Sequence, residues 1–426
     1  MMNPPASVVT LLREPQSIPE TGLNPGFLYD LTLKVLYFNG ELSGLAFANI
    51  LKLPYTNVVD RVLGFLIKED LVAITGSVGF GDRGYNYVIT QKGSNKAQEA
   101  LARSQYYGPA PVALAHYNAV IRAQTIGEIQ ITRDELRSAL KHLVISDTML
   151  RRVGPAANSA RSIFLYGPPG NGKTTVAQAI STLFTTHVYV PYAVEVDSQV
   201  IQVFDALSHL PVEEPPQARE SARDSRWALT RRPFIVTGGE LGLEALDLIF
   251  DPVSKVYQAP HQMKSNNGMF LIDDFGRQLV RPRDLLNRWI VPLENRVDFL
   301  TLQTGKKIEI PFDVLIVFST NLNPTDLVDD AFLRRIRHKI EVPNPTWEEF
   351  REIFTRMCVR RNVPYDEEGF RYLVMEHYIK VKREPKAVHP RDLLDQIIDY
   401  AKFLDVEPRL TKELIDAAIE AYFVKL

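Results

Sequence analysis

The sequence predicts an α/β protein: a doubly wound parallel sheet with a C-terminal helical lid, preceded by an α+β winged-helix domain. Three observations carry this expectation. Short apolar runs at 163–166, 188–190, 269–272 and 314–318 alternate with helical stretches, as strands buried on both faces do. A glycine-rich phosphate-loop pattern follows the first run, between a strand and a helix. At the N-terminal end, three helical patterns precede two strands joined by a glycine-rich loop, the element order of a winged helix.

The elements follow in chain order. Residues 1–22 are proline-rich and read as a flexible tail. Residues 23–105 form the winged-helix domain. Leu28, Leu31, Leu33, Val35 and Leu36 give a first helix ending near Asn39-Gly40, and Leu45, Phe47, Ile50 and Leu51 give a second. Pro54 suits the first position of a third, which carries Val58, Val59, Val62, Leu63, Leu66 and Ile67 at helical spacing. Residues 71–75 and 85–90 are the strands, joined by the loop 76–84. A connector spans 106–130, the α/β core 131–343 and the helical lid 344–426. One amphipathic helix is expected over 133–150, and the Pro-, Glu- and Arg-rich stretch 211–233 reads as a solvated loop.

Composition bounds the function. The 426 residues suffice for two or three domains at about 150 residues each. A formal net charge of −2 gives no global electrostatic footprint for nucleic acid or an anionic membrane. No apolar run approaches the ~18 residues of a membrane span, and the N-terminal residues lack a signal-peptide core. A cytoplasmic protein without membrane insertion is expected. The single cysteine, Cys358, allows no intrachain disulfide and reads as a buried thiol.

The chemistry starts at Gly167, Pro168, Pro169, Gly170, Asn171, Gly172, Lys173 and Thr174, with Thr175 next, a full match to G-x-x-x-x-G-K-[ST]. Glycines let the backbone turn its N–H groups toward phosphate oxygens, and the following helix offers its positive end. ATP is the expected ligand, with Lys173 on its β- and γ-phosphates and Thr174 on Mg²⁺. The run 269–272 then delivers Asp273 and Asp274 at the end of a strand, where ligands bind in open α/β sheets. Asp273 suits Mg²⁺; Asp274 suits orienting or deprotonating an attacking water.

With these residues in order, the sequence resembles the AAA+ ATPases over roughly 130–410, and the wider pattern resembles bacterial members with a winged helix in front. The resemblance implies a Walker A loop at 167–174, Walker B at Asp273, and a sensor-1 strand ending in Asn321, which places the attacking water. It implies an arginine finger at Arg335, with Arg334 as runner-up, serving a neighbouring subunit's site. It implies a sensor-2 arginine at Arg391 that touches the nucleotide. A homo-oligomer follows, a hexameric ring by the family's habit. One position departs: the family usually has Asp-Glu where this chain has Asp273-Asp274, and the shorter side chain implies slow hydrolysis unless the backbone compensates.

Two functions stay open at this stage. One is a chaperone-like enzyme that hydrolyses Mg-ATP to remodel or assemble a protein partner; the other is a slow nucleotide-dependent switch acting through the winged helix, with DNA as its alternative target. The third helix sets Arg61 and Lys68 against Asp60, Glu69 and Asp70, and the wing sets Arg83 beside Asp82, a nearly neutral balance that favours protein docking over DNA. No aromatic–hydrophobic–glycine pore tripeptide lies between Phe184 and Met269; Tyr189, Tyr192 and Tyr257 are the nearest aromatics and read as core.

Overall fold

The computed structural model describes residues 6–77, 84–213, 223–327 and 330–423. Its N-terminal region is α+β. Helix α1 (Ala6–Leu11) leads to α2 (Pro25–Asn39), strand β1 (Glu41–Ser43), α3 (Gly44–Leu51), α4 (Asp60–Lys68), β2 (Val72–Ser77), β3 (Tyr85–Ile89) and α5 (Gln91–Arg103). The strands pair antiparallel in the order β1-β3-β2. Asn24 caps α2 through a bond from Gly26 N, with Pro25 at its first position.

Two expectations for this region change, and a third is not reached by the described residues. Residues 6–22 are not a tail: Val8 and Leu12 are fully buried in an apolar cluster with Tyr117, Tyr189 and Trp227. The third helix starts at Asp60, not at Pro54, because Thr56 is extended and Asn57 left-handed at φ +66°. The wing residues Asp82 and Arg83 lie outside the described residues.

Strand β4 (Val112–Ala113) and α6 (Leu114–Ala123) follow, so the expected connector is built into a second sheet. Next come α7 (Arg133–Leu140) and α8 (Asp147–Ser159), two helices where one was expected. The break has a local cause: Ser146 caps α8 by accepting from Met149 N, a start signal inside the apolar periodicity.

The central sheet uses β5 (Ser162–Tyr166), β10 (Phe234–Thr237), β13 (Gly268–Ile272), β16 (Val314–Thr320) and β17 (His338–Glu341) in the order β10-β13-β16-β5-β17, all parallel. Helix α9 (Lys173–Ser181) leaves the end of β5. Apolar clusters cover both faces, with Leu165, Ala177 and Leu271 on one and Phe164, Phe270 and Trp289 on the other.

The expected core strand at 188–190 belongs elsewhere. It is β6 (His187–Pro191), which among the described residues pairs only with β9 (Trp227–Arg231). That pairing also corrects the solvated-loop reading of 211–233 over residues 223–233, where Asp224, Arg226 and Trp227 are buried; residues 214–222 lie outside the described residues. The second sheet joins β7 (Ala193–Val196), β8 (Gln199–Gln202), β11 (Ile249–Asp251) and β12 (Val256–Gln258) to β4 in the order β11-β12-β8-β7-β4. A hairpin of β14 (Val297–Thr301) and β15 (Lys307–Pro311) precedes β16.

Beyond β17 the chain is helical: Trp347–Arg361, Glu367–Val374, His389–Phe403 and Lys412–Tyr422 pack around Phe350, Phe354, Leu394 and Ile415. Cys358 sits in this core, where burial pushes its thiol up to about 12. No helix among the described residues is long and apolar enough to cross a membrane.

Candidate functional site

The site forms at the C-terminal ends of β5, β13 and β16. After Tyr166 the chain turns through Gly167 at φ +136°, where a side chain would run into the Val342 carbonyl oxygen, and through Gly170 at φ +82° and Gly172 at φ +79°. Lys173 opens α9 and is 94% buried by accessible surface. Its Nζ donates to the carbonyls of Gly167 and Pro168, both at 2.9 Å, and to Asn321 Oδ1 at 2.5 Å. Burial pulls the ammonium below its ordinary range, with Lys386 adding to the effect, while the Asp273 and Asp274 carboxylates hold it up.

Thr174 Oγ1 donates to Asp273 Oδ2 at 2.7 Å. Asp273 is fixed by its strand, its N–H donating to Thr237 O at 2.8 Å across to β10. Asp274 is exposed and left-handed at φ +48°, a conformation that aspartate tolerates better than most residues. Gln278 Nε2 donates to the carbonyls of Asp273, Asp274 and Gly238 at 3.1, 3.3 and 3.3 Å, which holds this turn in place. Asn321, just past β16, joins the two halves: its Oδ1 accepts a hydrogen bond from Lys173 Nζ and its Nδ2 donates to Asp274 Oδ1 at 3.2 Å.

The structure therefore brings together Lys173, Thr174, Asp273, Asp274 and Asn321. Arg391 stands at the start of the helix His389–Phe403, more than half exposed and paired with Asp392 Oδ1 at 2.8 Å. It lines a cavity of about 370 Å³ shared with Gly170, Asn171, Gly172 and Thr175. Pro168 and Pro169 shape the loop, with Pro169 exposed.

Arg335 and Arg334 lie apart from this group. Ser162 Oγ, at the first residue of β5, is bonded to Arg335 O at 3.4 Å and Arg337 N at 3.0 Å, so Arg335 sits at the opposite end of β5 from the phosphate loop. Five strand residues separate the ends by roughly 13 Å. The Arg335 guanidinium pairs with Glu294 at 2.6 Å, and Arg334 is exposed.

Sequence reasoning missed the far wall of the cavity, formed by His142, Leu143, Val144, Ile145 and Val388. The first four fall in the break before α8, and the Ser146-Asp147 cap is the signal that could have marked it. Asn344 and Gln278 were also missed: Asn344 acts through contacts distant in the chain, and Gln278 bonds backbone groups of its own turn, for which no side-chain pattern gives a signal.

The residues fit the groups the pattern implies. A hydroxyl and a carboxylate 2.7 Å apart are a hard-oxygen pair suited to Mg²⁺, which takes one or two protein oxygens and leaves its other positions to water and phosphate. Gly167 and Gly170 let the loop turn where a side chain would collide with Val342 O or Val388, so the backbone can curl around the buried ammonium.

Residues 163–344 match the model of the family described as ATPase family associated with various cellular activities (AAA). That stretch, which holds the phosphate loop, Asp273, Asp274 and Asn321, is an AAA-family domain. Residues 346–421 match a second family, described only as a domain of unknown function. No curated protein matches the sequence. Among solved structures, similarity extends to NtrX from Brucella abortus in complex with ATP, at 14% identity and TM-score 0.39 over 70% of this chain and 58% of that one. The same protein in complex with ADP gives 14% identity and TM-score 0.42, over 78% and 67% of the two chains. A RuvB mutant from Thermotoga maritima gives 15% identity and TM-score 0.36, over 70% and 72%. The match thus spans less than two thirds of the ATP-bound NtrX chain.

Proposed function

We propose that this AAA+ protein binds Mg-ATP and hydrolyses it to remodel or assemble a protein partner. The observation that carries the enzymatic half is the continuous bonding from Lys173 through Asn321 to Asp274, beside the Thr174–Asp273 pair. Thr174 and Asp273 would hold Mg²⁺, which supplies charge neutralisation at the phosphates when bound. Loop N–H groups and Lys173 bind the β- and γ-phosphates. The Asp274 carboxylate accepts a proton from a water as its oxygen attacks the γ-phosphorus, and the bond to the leaving ADP oxygen breaks. Asn321 keeps Asp274 in register with the lysine. Arg391 touches the nucleotide from the lid side. The cavity wall at 142–145 takes the base.

Two surfaces support the protein-partner half. On α4 the exposed Phe65 stacks on Tyr29 at 4.0 Å, an aromatic face where major-groove reading would call for lysine and arginine. Arg335, at the far end of the sheet from its own loop, suits a finger delivered to a second copy, and a ring of six is the assembly we favour. We read the N-terminal region as a winged helix used for docking, within the boundaries 23–105, 106–130, 131–343 and 344–426, in a cytoplasmic protein. The slow-switch reading rests on Asp274 standing where glutamate is usual.

Titration calorimetry with Lys173→Ala tests the cradle. At about 4 Å and an effective dielectric of ~20, one lost charge pair is worth roughly 4 kcal/mol, so ATP affinity should fall on the order of 10²- to 10³-fold. Undiminished affinity would remove the lysine from the phosphate site.

A further inference from the structure

Asn171 belongs to the phosphate loop, yet its amide is bonded to the lid side of the molecule. Its Nδ2 donates to Asn344 Oδ1 at 2.7 Å, and its Oδ1 accepts from Ala387 N at 3.1 Å. Asn344 lies in Pro343-Asn344-Pro345, the link from β17 into the lid, where flanking prolines restrict the backbone. The Asn344 Nδ2 donates to Glu384 Oε2 at 2.6 Å on the lid loop. Four residues on, Val388 N donates to Gly170 O at 2.9 Å. Its methyl covers the glycine so closely that a side chain at Gly170 would lie 2.6 Å from it. Arg391 follows three residues later and lines the same cavity.

We propose that Asn344, with Glu384, is a positioning pair that ties the angle of the lid to the conformation of the phosphate loop, and so governs how far Arg391 reaches into the nucleotide pocket. The proposal rests on the ATPase reading above. Asparagine suits the position because one planar amide accepts from Asn171 while donating to Glu384; aspartate could not donate and an apolar residue could do neither. Lid motion that carries Arg391 must break these bonds or drag Gly170 and Asn171 with it. Linkage then runs both ways: nucleotide that reshapes the loop biases the lid, and a displaced lid weakens the loop's hold on phosphate.

The experiment uses the full chain with Asn344→Ala, Arg391→Ala and the double variant, reading ATP affinity by calorimetry and kcat against KM by phosphate release. In the wild-type background Arg391→Ala should weaken ATP binding by about 5-fold or more; in the Asn344→Ala background its penalty should shrink below about 2-fold, since the two residues are coupled. Glu384→Gln still accepts from Asn344 and should behave as wild type, whereas Glu384→Ala, on the exposed lid loop, should reproduce Asn344→Ala. The same Arg391 penalty in both backgrounds overturns the proposal, as does a wild-type Arg391 dependence in Glu384→Ala. Amide exchange reads the tie without nucleotide. Residues 384–388 should exchange at least about 5-fold faster in Asn344→Ala and in Glu384→Ala, and unchanged exchange also overturns it. Should the wild-type protein bind no ATP, the ATPase reading fails, while the exchange result still decides the tie.

Discussion

Asp274→Asn isolates one chemical property at the proposed catalytic position. The replacement keeps the shape: asparagine tolerates φ +48° as well as aspartate does, and its Oδ1 can still accept from Asn321 Nδ2 across 3.2 Å. Thr174–Asp273 and the three Lys173 bonds are untouched. What disappears is the capacity to take a proton from water, a contribution of about 10²- to 10⁴-fold in general-base catalysis, or roughly 3–5 kcal/mol of barrier. ATP affinity by calorimetry should stay within about 3-fold of wild type, since under ~0.7 kcal/mol of binding is at stake. Steady-state ADP production should fall by at least about 100-fold. Turnover at the wild-type rate, with binding intact, would refute the assignment and leave the water to another residue.

Arg335→Ala should abolish hydrolysis while leaving ATP binding by the isolated subunit nearly intact, and mixing it with Lys173→Ala subunits should restore part of the rate, because arginine fingers contribute about 10³- to 10⁵-fold; a silent mixture of co-sedimenting variants would make Arg335 structural. Asp224→Ala should lower unfolding stability by about 3–5 kcal/mol in chemical denaturation, since it strands the buried Arg226 that Asp224 grips at 2.7 and 2.9 Å. Burial, aided by Lys386 and Arg383, lowers the His389 imidazole to about 4. An unfolded histidine titrates near 6.5, so the unfolded chain binds the extra proton between those values. Lid stability should therefore fall as pH drops from about 6.5 toward 4, stay flat above, and lose that step in His389→Asn, read by circular dichroism melts across pH.

How much of this was legible depended on whether the signal was local. The strands at β5, β13 and β16 were readable because each is a buried apolar run whose next residues carry the chemistry. Val188, Tyr189 and Val190 have the same pattern, yet they pair with β9 outside the central sheet, because periodicity reports burial and not the neighbour. Strands β10 and β17 were missed: Phe234–Thr237 and His338–Glu341 are short, with exposed Val236 between two buried residues in one and a single buried residue, Ile340, in the other. The tail expectation failed because prolines among the first residues outweighed Val8 and Leu12, two apolar residues four apart on one turn of helix. At the site, the motif residues were readable and their supports were not. Asn344 and the 142–145 wall owe their places to chain segments tens to hundreds of residues away, and Gln278 acts on the backbone of its own turn.

The second sheet changes where this protein can be cut. Ala193, Val200 and Val256 share a core with Leu31, Leu36 and Val59 of the N-terminal region, and Gln105 N donates to Ser254 O at 2.8 Å. Arg226 reaches Thr21 O at 2.8 Å and Pro111 O at 3.1 Å from within that contact. A border near residue 105 is thus a seam in sequence with no matching seam in space. A fragment ending there would carry a raw apolar wound and tend to aggregate, and the remainder would carry its mirror image. For the intact molecule, the same weld makes the N-terminal module and the β-rich insert one body, with no hinge between them at that point.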